Sequence, residues 1–223
     1  MLEKILEHER TLFLLLNSFH SPSGDKFMYL FSGFTAWIPV SFLFFVILFY
    51  TNRTRWKEIL LIVAAIAVTI TLCDKFASGI CKPYFARFRP THHPDFMNDV
   101  ITVFGYRGGR YGFISSHAAN GFGFAMITSL IFRNRFYTVL LMLWATCSSY
   151  SRIYLGVHFI SDIIPGILAG LFFGWLVYKL FVLVHKKLFA HGLQIRASEI
   201  NGVTLISLLL LSTVVILIII SLL

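Results

Sequence analysis

The chain has 223 residues, 57% of them hydrophobic and only 13% charged, and a formal net charge of +9. This composition argues against a soluble domain, because residues 27–50 and 202–223 each exceed the roughly 18 uncharged residues that indicate a membrane span. It also argues against a nucleic-acid partner, since basic loops in so apolar a chain orient membrane spans and contact anionic headgroups.

The first 26 residues are predicted to form an amphipathic segment that lies at the membrane interface. Leu6, Phe13 and other apolar residues are interspersed with charged ones such as Glu3 and Glu9. The apolar run of residues 11–19 is too short to span a membrane, and it follows a charged stretch, so no cleavable signal peptide is predicted.

The rest of the chain is predicted to be an all-α, polytopic membrane bundle of about six transmembrane helices. We divide the chain into the interfacial segment (1–26), a transmembrane core (27–184), and a basic linker with a C-terminal transmembrane helix (185–223). The predicted spans are residues 27–50, 59–81, 112–132, 136–150, 159–184 and 202–223.

The connecting loops fall into two sets. Residues 51–57, 133–135 and 185–201 are basic and are predicted to face the cytoplasm. Both termini, the long loop 82–111 and residues 151–158 would then face outward. The outward set nevertheless carries six cations, which indicates that they serve a purpose other than orienting the spans. They are Lys82, Arg87, Arg89, Arg107, Arg110 and Arg152.

Residues 81–90 place three cations, Lys82, Arg87 and Arg89, where the second predicted span meets water. One interpretation is a basic anchor for lipid headgroups. The other is an oxyanion cradle, because a guanidinium binds phosphate with two parallel hydrogen bonds and an ammonium adds a point charge.

Residues 112–120 place Ser115, Ser116 and His117 at the start of the third predicted span. A helix N-terminus presents unpaired N–H groups and the positive end of its dipole, and both favour an anion. The alternative is an ordinary helix cap beside an interfacial histidine.

Residues 151–162 contain Arg152, His158 and Asp162. In a helix, His158 and Asp162 would share a face, and a carboxylate bonded to one ring nitrogen leaves the other free to act as nucleophile or base. A buried ion pair that joins two helices is the alternative, but ionisable groups in a bilayer are costly and usually functional.

Under the predicted topology the three segments lie at the same end of their spans. They would form one outward-facing patch whose cations, histidines and carboxylate suit phosphoryl transfer without an obvious metal site. The patch comprises Lys82, Arg89, His117, Arg152, His158 and Asp162.

The same residues resemble the motifs of the type 2 phosphatidic acid phosphatase superfamily over about residues 27–184. The first motif is Lys82-x6-Arg89-Pro90, the second is Ser115-Ser116-His117, and the third is Ser151-Arg152-x5-His158-x3-Asp162. The second motif departs from the usual Pro-Ser-Gly-His, because Ile114 replaces proline and Ser116 replaces glycine.

The resemblance implies a role for each matching residue and implies that no metal or other cofactor is used. His158 would attack phosphorus and form a phosphohistidine, and Asp162 would orient it. His117 would protonate the leaving oxygen and then activate water. The phosphoryl oxygens would be bound by Lys82, Arg89, Ser115, Ser116 and Arg152.

The remaining polar residues give weaker indications of function. His92 and His93, with Asp95 and Asp99, favour a solvated loop over a metal site, because adjacent histidines do not easily bind one ion. Arg107 and Arg110 fit either a second phosphate or sugar contact, or a merely basic loop. Asp74-Lys75 favours an ion pair near the headgroups. The three cysteines, Cys73, Cys81 and Cys147, form no disulfide or zinc pattern.

The function expected from the motifs and the resemblance is therefore that of an integral membrane phosphatase for a lipid substrate. The six-span plan suits undecaprenyl pyrophosphate or lipid A, at the outer face of a bacterial inner membrane. A non-catalytic lipid-binding protein, a transporter and a haloperoxidase are the alternatives. Transport is disfavoured because the charges lie at one face, and haloperoxidase chemistry because those relatives are soluble. The oligomeric state is left open.

Overall fold

The computed structural model describes residues 2–189 and 202–223, and within them the regular structure is helical apart from one isolated bridge between Phe88 and Tyr111. The helix Trp56–Asp74 continues through a π-helical stretch, Lys75–Cys81, directly into the short helix Lys82–Phe85. The helices are α1 (Leu2–Asn17), α2 (Pro22–Ser32), α3 (Phe34–Thr51), α4 (Trp56–Asp74), α5 (Lys82–Phe85), α6 (Ser116–Phe132), α7 (Arg135–Tyr154), α8 (Ile160–Leu188) and α9 (Val203–Leu222).

The helices form a bundle around α6, which packs against α4, α7 and α8. In the described part of the chain, four helical stretches are long and apolar enough to cross a membrane: Phe34–Thr51, Arg53–Phe85, Ile160–Leu188 and Val203–Leu222. The helix α9 packs on α2, α3 and α7 at one side of the bundle. These features confirm the prediction of an all-α membrane bundle. Residues 190–201 of the predicted basic linker lie outside the part of the chain that the structure describes.

The prediction of one continuous span over residues 27–50 is wrong, because Gly33 separates α2 from α3. Gly33 is extended (φ −73°, ψ 138°), and its N–H bonds back to the carbonyls of Tyr29 and Leu30. Glycine is a poor helix former, which favours a break at this position. The predicted span 112–132 likewise begins as a loop, with α6 starting at Ser116.

Close packing of α8 on α6 fixes the register between the two helices. Gly166, Gly170 and Gly174 recur every four residues and face α6. A Cβ atom on Gly166 would lie 2.7 Å from the carbonyl oxygen of Ser115, and one on Gly174 would lie 2.9 Å from that of Gly123. Small residues at this spacing let helix backbones approach closely in membranes. The start of α8 is thereby held beside the start of α6.

The helix α1 packs on the bundle end formed by the long loop and the start of α8. Phe13 is fully buried against the rings of Phe96 and Phe159. Asn17 donates to the carbonyls of Tyr154 (2.9 Å) and Ile101 (3.1 Å), and accepts from the Ile101 N–H (2.9 Å). The predicted placement of α1 at a membrane surface stays a prediction.

Candidate active site

Four helix ends meet at one end of the bundle. The helical stretch that ends with α5 and the helix α7 arrive there with their C-termini, whereas α6 and α8 start there. The structure brings to this end every residue that the sequence analysis selected: Lys82, Arg89, Ser115, Ser116, His117, Arg152, His158 and Asp162.

The turn between α7 and α8 carries the His158–Asp162 pair. The carbonyl of Arg152 accepts hydrogen bonds from the N–H groups of Val157 (3.0 Å) and His158 (3.2 Å), which closes the turn. Within the turn, Gly156 adopts a φ of +75°, a backbone conformation that residues other than glycine rarely take. The turn therefore places the arginine and the histidine of the third motif side by side.

His158 and Asp162 are fully buried and in contact. The Nδ1 atom of His158 lies 3.2 Å from Oδ2 of Asp162, and that oxygen also accepts from the N–H of Phe159 at 3.0 Å. Burial, followed by the charges of Arg89 and Arg152, lowers the pKa of His158 well below its usual range. With its proton on Nδ1, the neutral ring presents a lone pair at Nε2.

Arg89 is held by the long loop that folds over the site. Its backbone N–H donates to the carbonyl of Arg110 (3.1 Å), and its Nε donates to the carbonyl of Tyr111 (3.1 Å). Gly108 leaves room for it, since a Cβ there would lie 2.6 Å from Nη1 of Arg89. Burial lowers the pKa of Arg89 to about 10, which still leaves the guanidinium charged at neutral pH.

Lys82 and Arg152 bring two further cations to the site. The ammonium of Lys82 donates to Ser116 Oγ (3.1 Å) and Ser78 Oγ (3.2 Å). Arg152 is almost completely buried and donates to the hydroxyls of Ser32 and Tyr106, the latter at 2.9 Å. A π-helical stretch directly precedes Lys82, as is frequent at functional sites.

The second motif forms the start of α6. The Oγ atom of Ser115 caps the helix by accepting from the N–H of Ala118 (3.3 Å), and the Ser115 N–H donates to the carbonyl of Asp162 (2.9 Å). Ile114, in place of the usual proline, is buried beside Cys81 and Ala119. His117 lies on the first turn and lines a cavity shared with Arg152.

Three buried polar atoms of the site have no hydrogen-bond partner within the described chain. They are Nε2 of His158, Nη1 of Arg89 and Nε of Arg152. Buried polar atoms are nearly always paired, so atoms left unpaired together require an explanation. A lone pair and two cationic donors are complementary to a phosphoryl group, whose phosphorus is attacked while its oxygens accept hydrogen bonds.

Sequence reasoning missed several contacts of the site. Arg87 was recognised only as one of three cations, yet its Nη1 lies 2.9 Å from Oδ1 of Asp162. Glu9 of α1 was treated as part of an interfacial helix, yet it lies 2.8 Å from Nη2 of Arg87. Ser32 and Tyr106, the partners of Arg152, carried no signal in the sequence.

The residues considered less important make contacts of their own. Arg110 covers the rings of Phe88 and Tyr111 and is exposed. Asp74 accepts from Ser78, which also accepts from Lys82. His93 contacts Arg10 of α1. Within the described ranges, no group of three His, Cys, Asp or Glu side chains is arranged to hold a metal ion.

Comparison with known proteins places this geometry in a family. The sequence model of the PAP2 superfamily matches residues 61–186, which include all eight selected residues. A lipid A 4′-phosphatase of Porphyromonas gingivalis is 50% identical over 186 residues, which are 83% of this chain and 78% of that protein. A lipid A 4′-phosphatase of Bacteroides thetaiotaomicron is 38% identical over 179 residues, 80% of this chain and 79% of that protein.

Solved structures show the same architecture. The crystal structure of Aquifex aeolicus LpxE matches with a TM-score of 0.58 at 27% identity, and the match covers 76% of this chain and 93% of the LpxE chain. A PAP2-type phosphatidylglycerolphosphate phosphatase from Bacillus subtilis shares the fold at 17% identity, with a TM-score of 0.59 over 84% of this chain and 89% of its own. The prediction of a lipid phosphatase is confirmed, and the chain belongs to the PAP2 superfamily.

Proposed function

We propose that this lipid phosphatase removes the 4′-phosphate of lipid A, with His158 as the nucleophile and without a metal ion. The observation that carries the proposal is the set of unpaired buried atoms on His158, Arg89 and Arg152, which is complementary to a phosphoryl group. The substrate is inferred from the two lipid A 4′-phosphatases to which the chain is 50% and 38% identical.

In the first chemical step, Nε2 of His158 attacks phosphorus, and the bond between phosphorus and the sugar oxygen breaks. His117 donates a proton to that oxygen as it leaves. The imidazole becomes a positively charged phosphohistidine, which the carboxylate of Asp162 stabilises through Nδ1. Charge on the phosphoryl oxygens is balanced by Lys82, Arg89 and Arg152 together with the start of α6.

In the second step, water attacks the phosphohistidine. His117, now neutral, accepts a proton from the water, and the bond between phosphorus and Nε2 of His158 breaks. Inorganic phosphate leaves and His158 returns to its neutral form. The three cationic side chains supply the positive charge that a metal ion supplies in other phosphatases.

The leaving group has a place beside His117. A cavity of about 340 Å³ runs from His117 and Arg152 to the break between α2 and α3 at Gly33. Tyr29 and Tyr106 line it with aromatic rings that carry hydroxyl groups. The group that protonates the leaving oxygen therefore faces the cavity where the lipid would lie while its phosphate contacts Arg152.

The site is proposed to face outward from the inner membrane. The opposite end of the bundle carries short basic segments, with Arg53 and Arg55 after α3, Arg133 after α6, Arg135 at the start of α7, and Lys186 near the end of α8. Short basic loops mark the cytoplasmic side. An outward site would meet lipids of the periplasmic leaflet.

Phosphate release by the purified full-length protein tests the proposal. The protein in detergent, with EDTA present, is incubated with lipid A, undecaprenyl pyrophosphate and phosphatidic acid. We expect release from lipid A, with the 4′-phosphate missing from the product by mass spectrometry. Release only from undecaprenyl pyrophosphate would assign that alternative substrate, and loss of release in EDTA would contradict the metal-free mechanism.

Ser116→Gly restores the usual residue of the second motif and tests what the serine adds. Lys82 would lose one of its two hydroxyl partners, and a hydrogen bond contributes about 1 kcal/mol net, so kcat/KM should fall roughly fivefold. Ser116→Ala should give the same loss if the hydroxyl alone matters. A loss far beyond that in the glycine variant alone would show that the start of α6 depends on the Ser116 side chain.

Gly112→Ala is expected to disturb the histidine–aspartate pair without removing a functional group. The new Cβ would lie 2.8 Å from Oδ2 of Asp162 and 3.5 Å from Nδ1 of His158. Small displacements of reacting groups cost up to about 100-fold, so we expect kcat to fall roughly 10- to 100-fold. Gly109→Ala in the same loop is the control, because nothing lies within 4 Å of its new Cβ. Equal activity of both variants would refute the predicted crowding.

A further inference from the structure

We propose that Glu9 of the N-terminal helix α1 is a positioning residue for the phosphatase reaction, acting through Arg87 on the carboxylate of Asp162. The inference rests on the proposed roles of His158 and Asp162. It assigns a function in the active site to α1, a helix that lies outside residues 61–186, the part matched by the family.

Arg87 connects the two carboxylates directly. Its Nη1 donates to Oδ1 of Asp162 at 2.9 Å, and its Nη2 donates to Oε2 of Glu9 at 2.8 Å. The same Nη1 contacts the hydroxyl of Ser161, and the guanidinium lies 4.8 Å from the centre of the Phe159 ring. A rigid planar fork held at both ends cannot turn away from Asp162 without breaking its bond to Glu9.

Glu9 also holds the start of α8. Its second oxygen, Oε1, accepts from the backbone N–H of Ser161 at 3.0 Å. That N–H belongs to the first turn of the helix, where backbone donors have no partner within the helix and a negative charge is favoured. One carboxylate therefore fixes both Arg87 and the turn from which Asp162 projects.

The carboxylate of Asp162 is thereby fixed from two sides. One oxygen accepts from Arg87, and the other accepts from the N–H of Phe159 and faces Nδ1 of His158. Glu9 also balances the charge of Arg87. The group of Glu9, Arg87 and Asp162 carries a net charge of −1, which stabilises the imidazolium of a phosphohistidine, whereas Arg87 and Asp162 alone sum to zero.

The position of Glu9 is itself well fixed. Glu9 is only 13% exposed, and Phe13 one turn later is fully buried. Arg10 contacts His93 of the long loop. A merely structural ion pair at the surface would contribute little, and its loss would change stability rather than the rate of the chemical step. The two roles are therefore separable by experiment.

Glu9→Gln in the full-length protein is the decisive variant. Glutamine keeps an acceptor for the Ser161 N–H but removes the charge that pairs with Arg87. We expect kcat to fall about 10- to 100-fold with KM and the unfolding temperature unchanged. Glu9→Asp, which keeps the charge, should recover part of kcat. Glu7→Gln on the exposed side of α1 is the matched control and should behave as wild type.

A double-mutant cycle with Arg87→Met tests the connection between the two residues. If Glu9 acts through Arg87, the glutamine substitution should have no further effect on kcat once Arg87 is removed. Additive losses would overturn the proposal. So would an unchanged kcat in Glu9→Gln, or losses in Glu9→Gln and Glu9→Asp that simply follow the loss of folded protein.

His158→Ala separates this inference from the proposed function. If His158→Ala is inactive but Glu9→Gln has a wild-type kcat, only the role of Glu9 is wrong. If His158→Ala still releases phosphate at the wild-type rate, the histidine mechanism itself is wrong, and the role of Glu9 fails with it.

Discussion

His158→Ala is expected to lower phosphate release from the lipid substrate by about 10⁴-fold or more, because it removes the atom that we propose bonds to phosphorus. His158 is fully buried, and its Nε2 has no partner within the described chain, so the substitution breaks no contact at that atom. The substitution does remove the contact of Nδ1 with Asp162 (3.2 Å), so the unfolding temperature is measured beside kcat, and the variant is expected to remain folded and to bind the lipid. His8→Ala, at an exposed position of α1, is the control and should retain full activity.

Trapping the covalent intermediate tests the same residue independently of rate. Wild-type protein mixed with ³²P-labelled substrate and quenched in alkali should carry label, since phosphohistidine is stable to alkali and labile to acid. His158→Ala should carry none. Label that survives acid, or label of equal intensity in His158→Ala, would show that another residue forms the intermediate.

The sequence was sufficient to predict the convergence of the motifs. Consecutive spans alternate in direction, so residues at the end of one helix and at the start of the next lie at the same end of a bundle. Lys82 lies in the last turn of the helical stretch that ends with α5 and Arg152 in the last turn of α7, while Ser116 and Asp162 lie in the first turns of α6 and α8. Charged residues at helix ends are informative in an apolar chain because their burial requires a purpose.

The packing that sets distances within the site was present in the sequence but was not recognised. Gly166, Gly170 and Gly174 have the four-residue spacing that brings membrane helices close together. In the sequence they lie within the apolar span predicted for residues 159–184. Their contacts hold the start of α8 against Ser115 of α6, and that contact places Asp162 and His117 at one site.

The contribution of α1 could not be predicted from sequence, for a physical reason. Glu9 is separated by 152 positions from Ser161 and by 78 from Arg87. An acidic residue on an amphipathic helix looks the same whether its partner is water, a headgroup or a distant arginine. Only the packing of Phe13 against the long loop and α8 selects among these, and such contacts leave no periodic pattern.

Asp162→Asn is expected to lower kcat by about 10²- to 10⁴-fold, although asparagine has almost the same size and shape. Both oxygens of Asp162 accept hydrogen bonds, one from Arg87 and the other from the Phe159 N–H beside Nδ1 of His158. An amide has only one acceptor, so its NH₂ group must face either a cationic donor or the histidine. If it faces the histidine, Nδ1 must accept, the ring proton moves to Nε2, and the lone pair that we propose attacks phosphorus is lost.

The measurement is kcat and KM for Asp162→Asn, with Asp25→Asn as the control. The side chain of Asp25 accepts from Tyr154 (2.7 Å) and contacts His20 (2.6 Å), and neither partner is one of the eight selected site residues. The control should keep its kcat. The Asp162 variant should lose the chemical step while KM changes little, because the substitution leaves the proposed phosphate-binding residues Lys82, Arg89 and Arg152 unchanged. A folded Asp162→Asn protein with wild-type kcat would show that the turn after Arg152 alone orients His158, and that the carboxylate serves only to hold Arg87.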